Sequence, residues 1–216
     1  MTQPTYKPLS GLYVITDTQL MNSSNILAMV EQALLGGAQI VQFRDKVNNP
    51  AIKLELATKL KGLCQNYQAW FIINDDIQLA KNVQAHGIHI GKNDADITLA
   101  REKLGPNAII GVSCYNDINR AKKMQSLGAN YVAFGRFYPS KTKPNAPQAE
   151  ISTLTIAKQQ LQIPIVAIGG ITIDNAHQLI EAGADSVAVI QGVFAHKDIQ
   201  QKAKKIQLLF EQNNQH

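Results

Sequence analysis

The stretch QFRDK sets Gln42, Arg44 and Lys46 two residues apart. On a strand those three side chains share one face, while Val41 and Phe43 take the other. An amide and two cations on one face suit an anionic ligand such as phosphate; a solvated charge cluster closed off by Asp45 would look the same in sequence. Two further stretches, NDD at 74–76 and GKND at 91–94, put Asp75 and Asp94 after consecutive apolar runs. If those runs are neighbouring strands, the two carboxylates stand about 5 Å apart at the backbone, close enough to share one divalent cation. Magnesium is the expected ion, because it takes one or two carboxylates and completes its octahedron with water and substrate phosphate oxygens. Asn74 is placed to donate its amide to such an oxygen. Asp76, ahead of IQLAKN, is also a good helix N-cap.

Other stretches supply partners for these groups. His86 and His89 lie three apart, so along a strand they face opposite ways and cannot chelate one ion together. His89, between Ile88 and Ile90, is expected to point inward as a polar core residue within reach of a ligand. Ser113 follows IIGV and offers a hydroxyl to a phosphate, or a cap to the helix near Asp117. A nucleophilic Cys114 would require a nearby base and a lowered pKa. Gly169, Gly170 and Gly192 let backbone amides come close to an anion. The segment GRFYPSKTKPNAP, residues 135–147, carries Ser140, Thr142 and Lys143 on a proline-stiffened loop long enough to fold over a site. An ordinary basic surface loop is the alternative.

The elements that must hold these residues read clearly. LYVIT, QIVQFR, WFIIN, GIHI, IIGVS, YVAFG, PIVAI and SVAVI are almost continuously apolar, as strands buried on both faces are. ILAMVEQALL, AIKLELATKLKGLC, INRAKKMQSL and NAHQLIEA between them show helical spacing. LLGGAQIVQF, SLGANYVAF and EAGADSVAVI repeat one joint, in which a helix ends at Gly37, Gly128 or Gly183 and a strand begins after Ala and a polar residue. The fold class expected is α/β, a single (β/α)8 TIM barrel over residues 1–216. A doubly wound open sheet is disfavoured by the regular series and by the missing G-x-G-x-x-G after the first strand. In such a barrel chemistry gathers at the C-terminal strand ends, where Arg44, Lys46, Asn74, Asp75, Asp94, Ser113, Gly169, Gly170 and Gly192 fall.

Composition narrows the partners. The chain has 216 residues, 45% of them hydrophobic and 17% charged, enough for one sizeable core. The net charge of +5 comes from scattered lysines rather than a basic stripe, which argues against nucleic acid and for small anionic substrates. Two cysteines fifty positions apart make no metal motif and no disulfide framework. The N-terminus lacks a signal-peptide pattern and no apolar run approaches a membrane span, so a cytoplasmic protein without a membrane partner is expected. Self-association into a homo-oligomer stays open.

Taken in order, GLYVITD, QFRDK, INDD, GIHIGKND, GVSC, YVAFGRFYPSKTKP, AIGGIT and AVIQGVF resemble the thiamine phosphate synthase family over nearly the whole chain. The resemblance implies a (β/α)8 barrel that joins 4-amino-2-methyl-5-pyrimidinylmethyl diphosphate to 4-methyl-5-thiazolylethyl phosphate with Mg²⁺, releasing pyrophosphate. It implies that Arg44, Lys46, Asn74, Ser113 and Lys143 bind the diphosphate, Gln42 the pyrimidine, and Asp75 and Asp94 the metal. Ser140, Thr142, Gly170 and the segment Gln191, Gly192 and Val193 would hold the thiazole phosphate. Gln191 stands where many relatives have serine, and Lys92 where many have glutamine. The family's reaction is dissociative and needs no protein nucleophile. Related barrels that act as thiazole tautomerases use a histidine near the end of the fifth strand, where this chain has Tyr115. A non-catalytic phosphate-ligand sensor would not need Asp75 and Asp94. An isomerase or epimerase would need an acid and base pair that the sequence does not offer.

Overall fold

Strands that are apolar on both faces need cover on both, and this chain supplies it by closing its strands into a ring. The computed structural model describes residues 8–91, 96–139 and 148–213. Eight strands, β1 (Gly11–Ile15), β2 (Ile40–Phe43), β3 (Trp70–Asn74), β4 (Gly87–Ile90), β5 (Ile109–Tyr115), β6 (Tyr131–Phe134), β7 (Ile165–Ile168) and β8 (Ser186–Val189), pair in parallel in chain order. Pairing of Gly11 with Ser186 and Leu12 with Val187 joins β8 back to β1. The expected barrel is therefore present, and every apolar run named from the sequence is one of its strands.

Helices cover the outside: α1 (Ile26–Leu35), α2 (Pro50–Asn66), α3 (Ile77–Asn82), α4 (Asp96–Leu104), α5 (Ile118–Ser126), α6 (Ser152–Gln160), α7 (Ile173–Glu181), the single turn α8 (Gln191–Phe194) and α9 (Ile199–Asn213). Their buried residues follow helical spacing, as with Ile26, Val30, Ala33 and Leu34 of α1 and Ile199, Ala203, Ile206 and Phe210 of α9. α9 packs on α1 and α7 and seals the junction of the first and last units. Asp76 caps α3 by accepting from the Leu79 N–H at 2.8 Å, and Asp117 caps α5 through the Arg120 N–H at 2.9 Å. Gly37, Gly128 and Gly183 have φ of 95°, 90° and 110°, so the repeated joint does end each helix in the left-handed region. No helix of the described residues is long and apolar enough to cross a membrane.

Alternation along each strand makes two apolar layers. Val41, Phe43, Phe71, Ile73 and their neighbours face the helices in the outer one. Tyr13, Ile15, Ile40, Ile72, Ile109, Tyr131, Ala133, Val166 and Ala188 fill the barrel. Tyr131 has room because β5 carries Gly111 opposite it: a Cβ there would collide with the Tyr131 ring. The inner layer ends below the C-terminal rim and leaves a cavity above it.

Candidate active site

That cavity has a volume of about 570 Å³, in the range of small-ligand sites. Gln42, Arg44, Lys46, Asn74, Asp75 and Ser113 line one side of it, and Gly170, Gln191 and Gly192 the other. Lys92, Asp94, Ser140, Thr142 and Lys143 lie outside the described residues. Val193 differs from its neighbours, being fully buried in the outer layer with its N–H donated to the Ile190 carbonyl at 3.2 Å.

Arg44 sits just beyond β2 and is steadied from β1. The Arg44 N–H donates to Thr16 Oγ1 at 2.9 Å, and the Thr16 hydroxyl donates back to the Arg44 carbonyl at 3.2 Å. Thr16 is 1% exposed, so this clasp works away from water. Asp17 then turns the chain, its Oδ1 accepting from the Gln19 N–H and its carbonyl from Leu20 and Met21. Sequence reasoning missed Thr16 and Asp17; the only signal was two polar residues ending an apolar run.

Asp75 follows β3 with φ of 61°, an uncommon conformation for a residue with a Cβ, held by its N–H donating to the His89 carbonyl at 2.9 Å. Its Oδ2 accepts from Asn74 Nδ2 at 2.7 Å and lies 4.0 Å from Lys46 Nζ. One hydrogen of the Asn74 amide thus orients the carboxylate, and Asn74 also lines the cavity where the sequence places it to meet a phosphate oxygen. The Lys46 pair is more than half exposed on both sides and contributes little stability. A Cβ added to Gly91 would stand 3.6 Å from Asp75 Oδ1, so this carboxylate faces the start of the segment that carries Asp94. Among the described residues no three His, Cys, Asp or Glu form a metal cluster. Asp75 brings carboxylate oxygens to the cavity wall, the donor type that magnesium takes.

Ser113 does not cap α5, a role Asp117 takes; its Oγ lies 2.9 Å from His89 Nε2. His89 points inward as expected, with Nδ1 3.0 Å from the Tyr131 hydroxyl. His86 faces the other way and accepts from the Phe71 N–H on Nδ1 at 2.8 Å. Burial pushes the Tyr13 and Tyr131 phenols above their ordinary range, so both stay protonated. Cys114 is fully buried in the outer layer and out of reach of the cavity. Tyr115 lines the cavity at φ of 58°, after a register shift between Ser113 and Tyr115 in the β5–β6 pairing. Arg120 Nε donates to the Ser113 carbonyl at 2.9 Å and Nη2 to the Gly91 carbonyl at 3.2 Å, tying β5 to the β4 loop.

On the opposite side the segment leaving β6 is stitched to the end of β7. The Phe137 N–H donates to the Ile168 carbonyl at 3.1 Å and the Tyr138 N–H to the Gly169 carbonyl at 3.0 Å. Gly170, at φ of 64°, has Tyr138 where a Cβ would go, at 2.8 Å. Gly169 and Gly170, read from sequence as room for a ligand, thus also make room for the β6 segment. Arg136, a third cavity-lining cation beside Arg44 and Lys46, went unnoticed because it sits inside the proline-stiffened loop.

Comparison with known proteins decides among the barrel chemistries. The family described as thiamine monophosphate synthase matches residues 12–193. The chain belongs to this family. It is a transferase of thiamine biosynthesis. A thiamine-phosphate synthase of Nitrosococcus oceani is 49% identical over 195 residues, 90% of each chain. One of Alcanivorax borkumensis is 46% identical over 208 residues, 95% of this chain and 96% of its own. Among solved structures, thiamine phosphate pyrophosphorylase from Pyrococcus furiosus superposes with a TM-score of 0.85 at 33% identity, covering 94% of this chain and 96% of that one. The family shares its barrel with other enzymes: a 3-hexulose-6-phosphate synthase matches with a TM-score of 0.68 at 16% identity, a likeness of fold alone.

Proposed function

We propose that the cavity condenses 4-amino-2-methyl-5-pyrimidinylmethyl diphosphate with 4-methyl-5-thiazolylethyl phosphate to give thiamine phosphate and pyrophosphate. The observation that carries this reading is the convergence of Gln42, Arg44, Lys46, Asn74, Asp75 and Ser113 on one side of one cavity, in a chain of this family. Arg44 and Lys46 would grip the diphosphate, with the Ser113 hydroxyl donating to it and Gln42 meeting the pyrimidine. The C–O bond at the methylene breaks with its electron pair going to the diphosphate, and the thiazole nitrogen then closes the C–N bond on that carbon. Negative charge grows on the departing oxygens, so fixed cations beside them lower the barrier, while anchoring the second substrate supplies proximity. Apolar side chains at the cavity floor, Ile15, Val166, Ile168 and Ile190 among them, keep water from the carbocation.

Asp75, together with Asp94, would hold Mg²⁺. The ion supplies further positive charge to the leaving diphosphate. Gly170, Gln191 and Gly192 would anchor the thiazole phosphate through the backbone, with Ser140 and Thr142, and Lys143 would add a further cation at the diphosphate, whereas the Val193 N–H is already taken by the Ile190 carbonyl. Tyr115 at the end of β5, where a tautomerase would need histidine, favours the synthase. The test is to incubate the purified protein with both substrates and measure thiamine phosphate by chromatography, with Mg²⁺ and with excess chelator. Product with Mg²⁺ and little without it is expected; no product under either condition would overturn the proposal.

A further inference from the structure

Five side chains from five strands form one unbroken chain of hydrogen bonds beneath the cavity. Gln42 Nε2 on β2 donates to the Tyr13 hydroxyl on β1 at 2.7 Å. Tyr13 meets the Tyr131 hydroxyl on β6 at 2.9 Å. Tyr131 meets His89 Nδ1 on β4 at 3.0 Å, and His89 Nε2 meets Ser113 Oγ on β5 at 2.9 Å. The two ends, Gln42 and Ser113, both line the cavity.

Hydrogen counting gives this chain a direction. An amide NH₂ only donates, so Tyr13 accepts from Gln42 and its own hydrogen goes to Tyr131. Tyr131 must then donate to His89 Nδ1. With Nδ1 accepting, the imidazole carries its hydrogen on Nε2 and donates it to Ser113. Ser113 accepts from below, which leaves its own hydrogen for the cavity, and Gln42 likewise presents its carbonyl oxygen there. The opposite polarity, with the Gln42 amide turned over, would show the cavity an NH₂ group at one end and a serine lone pair at the other.

We propose that Tyr13, Tyr131 and His89 are positioning residues whose common hydrogen-bond polarity makes Gln42 an acceptor and Ser113 a donor together. The inference rests on the proposed function and deepens it by naming what each end selects. An acceptor at Gln42 favours a ring bearing an amino group over one bearing a carbonyl, and a donor at Ser113 favours an oxyanion. Each end supports the other, so replacing Gln42 reaches Ser113 through three intervening side chains.

The experiment is ¹⁵N NMR of the full-length protein labelled at histidine, which distinguishes an Nε2–H imidazole from an Nδ1–H one and from imidazolium, with His89→Gln identifying the His89 signals. Near neutral pH the wild type is expected to show His89 with its hydrogen on Nε2. Gln42→Glu replaces the terminal donor by a carboxylate, so Tyr13 turns to donate to it and the His89 hydrogen is expected on Nδ1. Tyr131→Phe breaks the chain in the middle and is expected to weaken binding of inorganic pyrophosphate about tenfold by calorimetry, as loss of a directed donor to a charged group does. A wild-type His89 protonated on Nδ1, or a tautomer unchanged by Gln42→Glu, would overturn the proposal. Neither readout uses turnover, so failure to make thiamine phosphate would count against the proposed function and leave this inference to its own result.

Discussion

A guanidinium is only as well placed as its main chain, and Thr16 fixes that of Arg44 with one hydroxyl that both accepts and donates. Thr16→Val keeps the side-chain shape and removes both bonds, leaving the part-buried Arg44 N–H and carbonyl without that partner. The expected loss is about 1–3 kcal/mol of stability in chemical denaturation. The KM for the diphosphate substrate is expected to rise about threefold to tenfold, since small displacements of a positioning group are costly. Thr16→Ser retains the hydroxyl and should restore KM. A KM unchanged in Thr16→Val would show that Arg44 is held by other means. Spacing made Arg44 itself legible, because charged residues two apart after an apolar run have few places to point. Thr16 was not legible, because a threonine ending a β-run looks the same whether it faces water or clasps a neighbouring strand.

At the level of elements, the strands announced themselves because cover on both faces demands nearly pure apolar sequence, and runs such as SVAV and IVAI alternate with helical segments along the whole chain. What followed each strand was less readable, since loop conformation is set by what it packs against. Gly170 illustrates this: the sequence suggested an amide open to phosphate, whereas the fold also needs the missing Cβ so that Tyr138 and Pro139 can lie against β7. Gly170→Ala would force a side chain into φ of 64° and into that packing. A loss of about 1–3 kcal/mol is expected, together with a rise in KM for the thiazole phosphate larger than for the diphosphate substrate. Gly62 is the control, for it lies within α2 with open space around it, and Gly62→Ala should raise stability by about 0.5–1 kcal/mol. Equal KM shifts for both substrates in Gly170→Ala would separate β7 from thiazole phosphate binding. The inner polar chain escaped notice for a related reason. Tyr13 and Tyr131 read as core aromatics, and only closure of the barrel brings their hydroxyls together.

Across the whole molecule the proposed function puts chemistry at the C-terminal strand ends and leaves stability to the other rim, and histidine shows the division. His86 precedes β4 at the N-terminal rim, where Nδ1 accepts from the Phe71 N–H, Nε2 lies 3.0 Å from Lys61 Nζ, and the ring meets Trp70 edge-on. Burial, and then the Lys61 charge, lower its pKa from 6.5 to about 4. The native protein thus keeps His86 neutral while the unfolded chain protonates it, and the unfolded state binds more protons between those two values. Stability from this group is complete above pH 6.5, declines as pH falls toward 4, and changes no further below. His86→Asn keeps an acceptor for the Phe71 N–H and removes the titration. Denaturation midpoints followed from pH 7 to pH 4.5 should fall less steeply in the variant, by about 1–2 kcal/mol after allowance for partial solvent access. Carboxylates and the other histidines titrate in both proteins and cancel in the difference. Because His86 faces away from the cavity, kcat/KM at pH 7.5 should stay within about twofold of wild type, as expected for a change remote from the reacting groups. Parallel pH curves for the two proteins would mean that the imidazole titrates alike folded and unfolded, and a large loss of kcat/KM would mean that the rims are coupled.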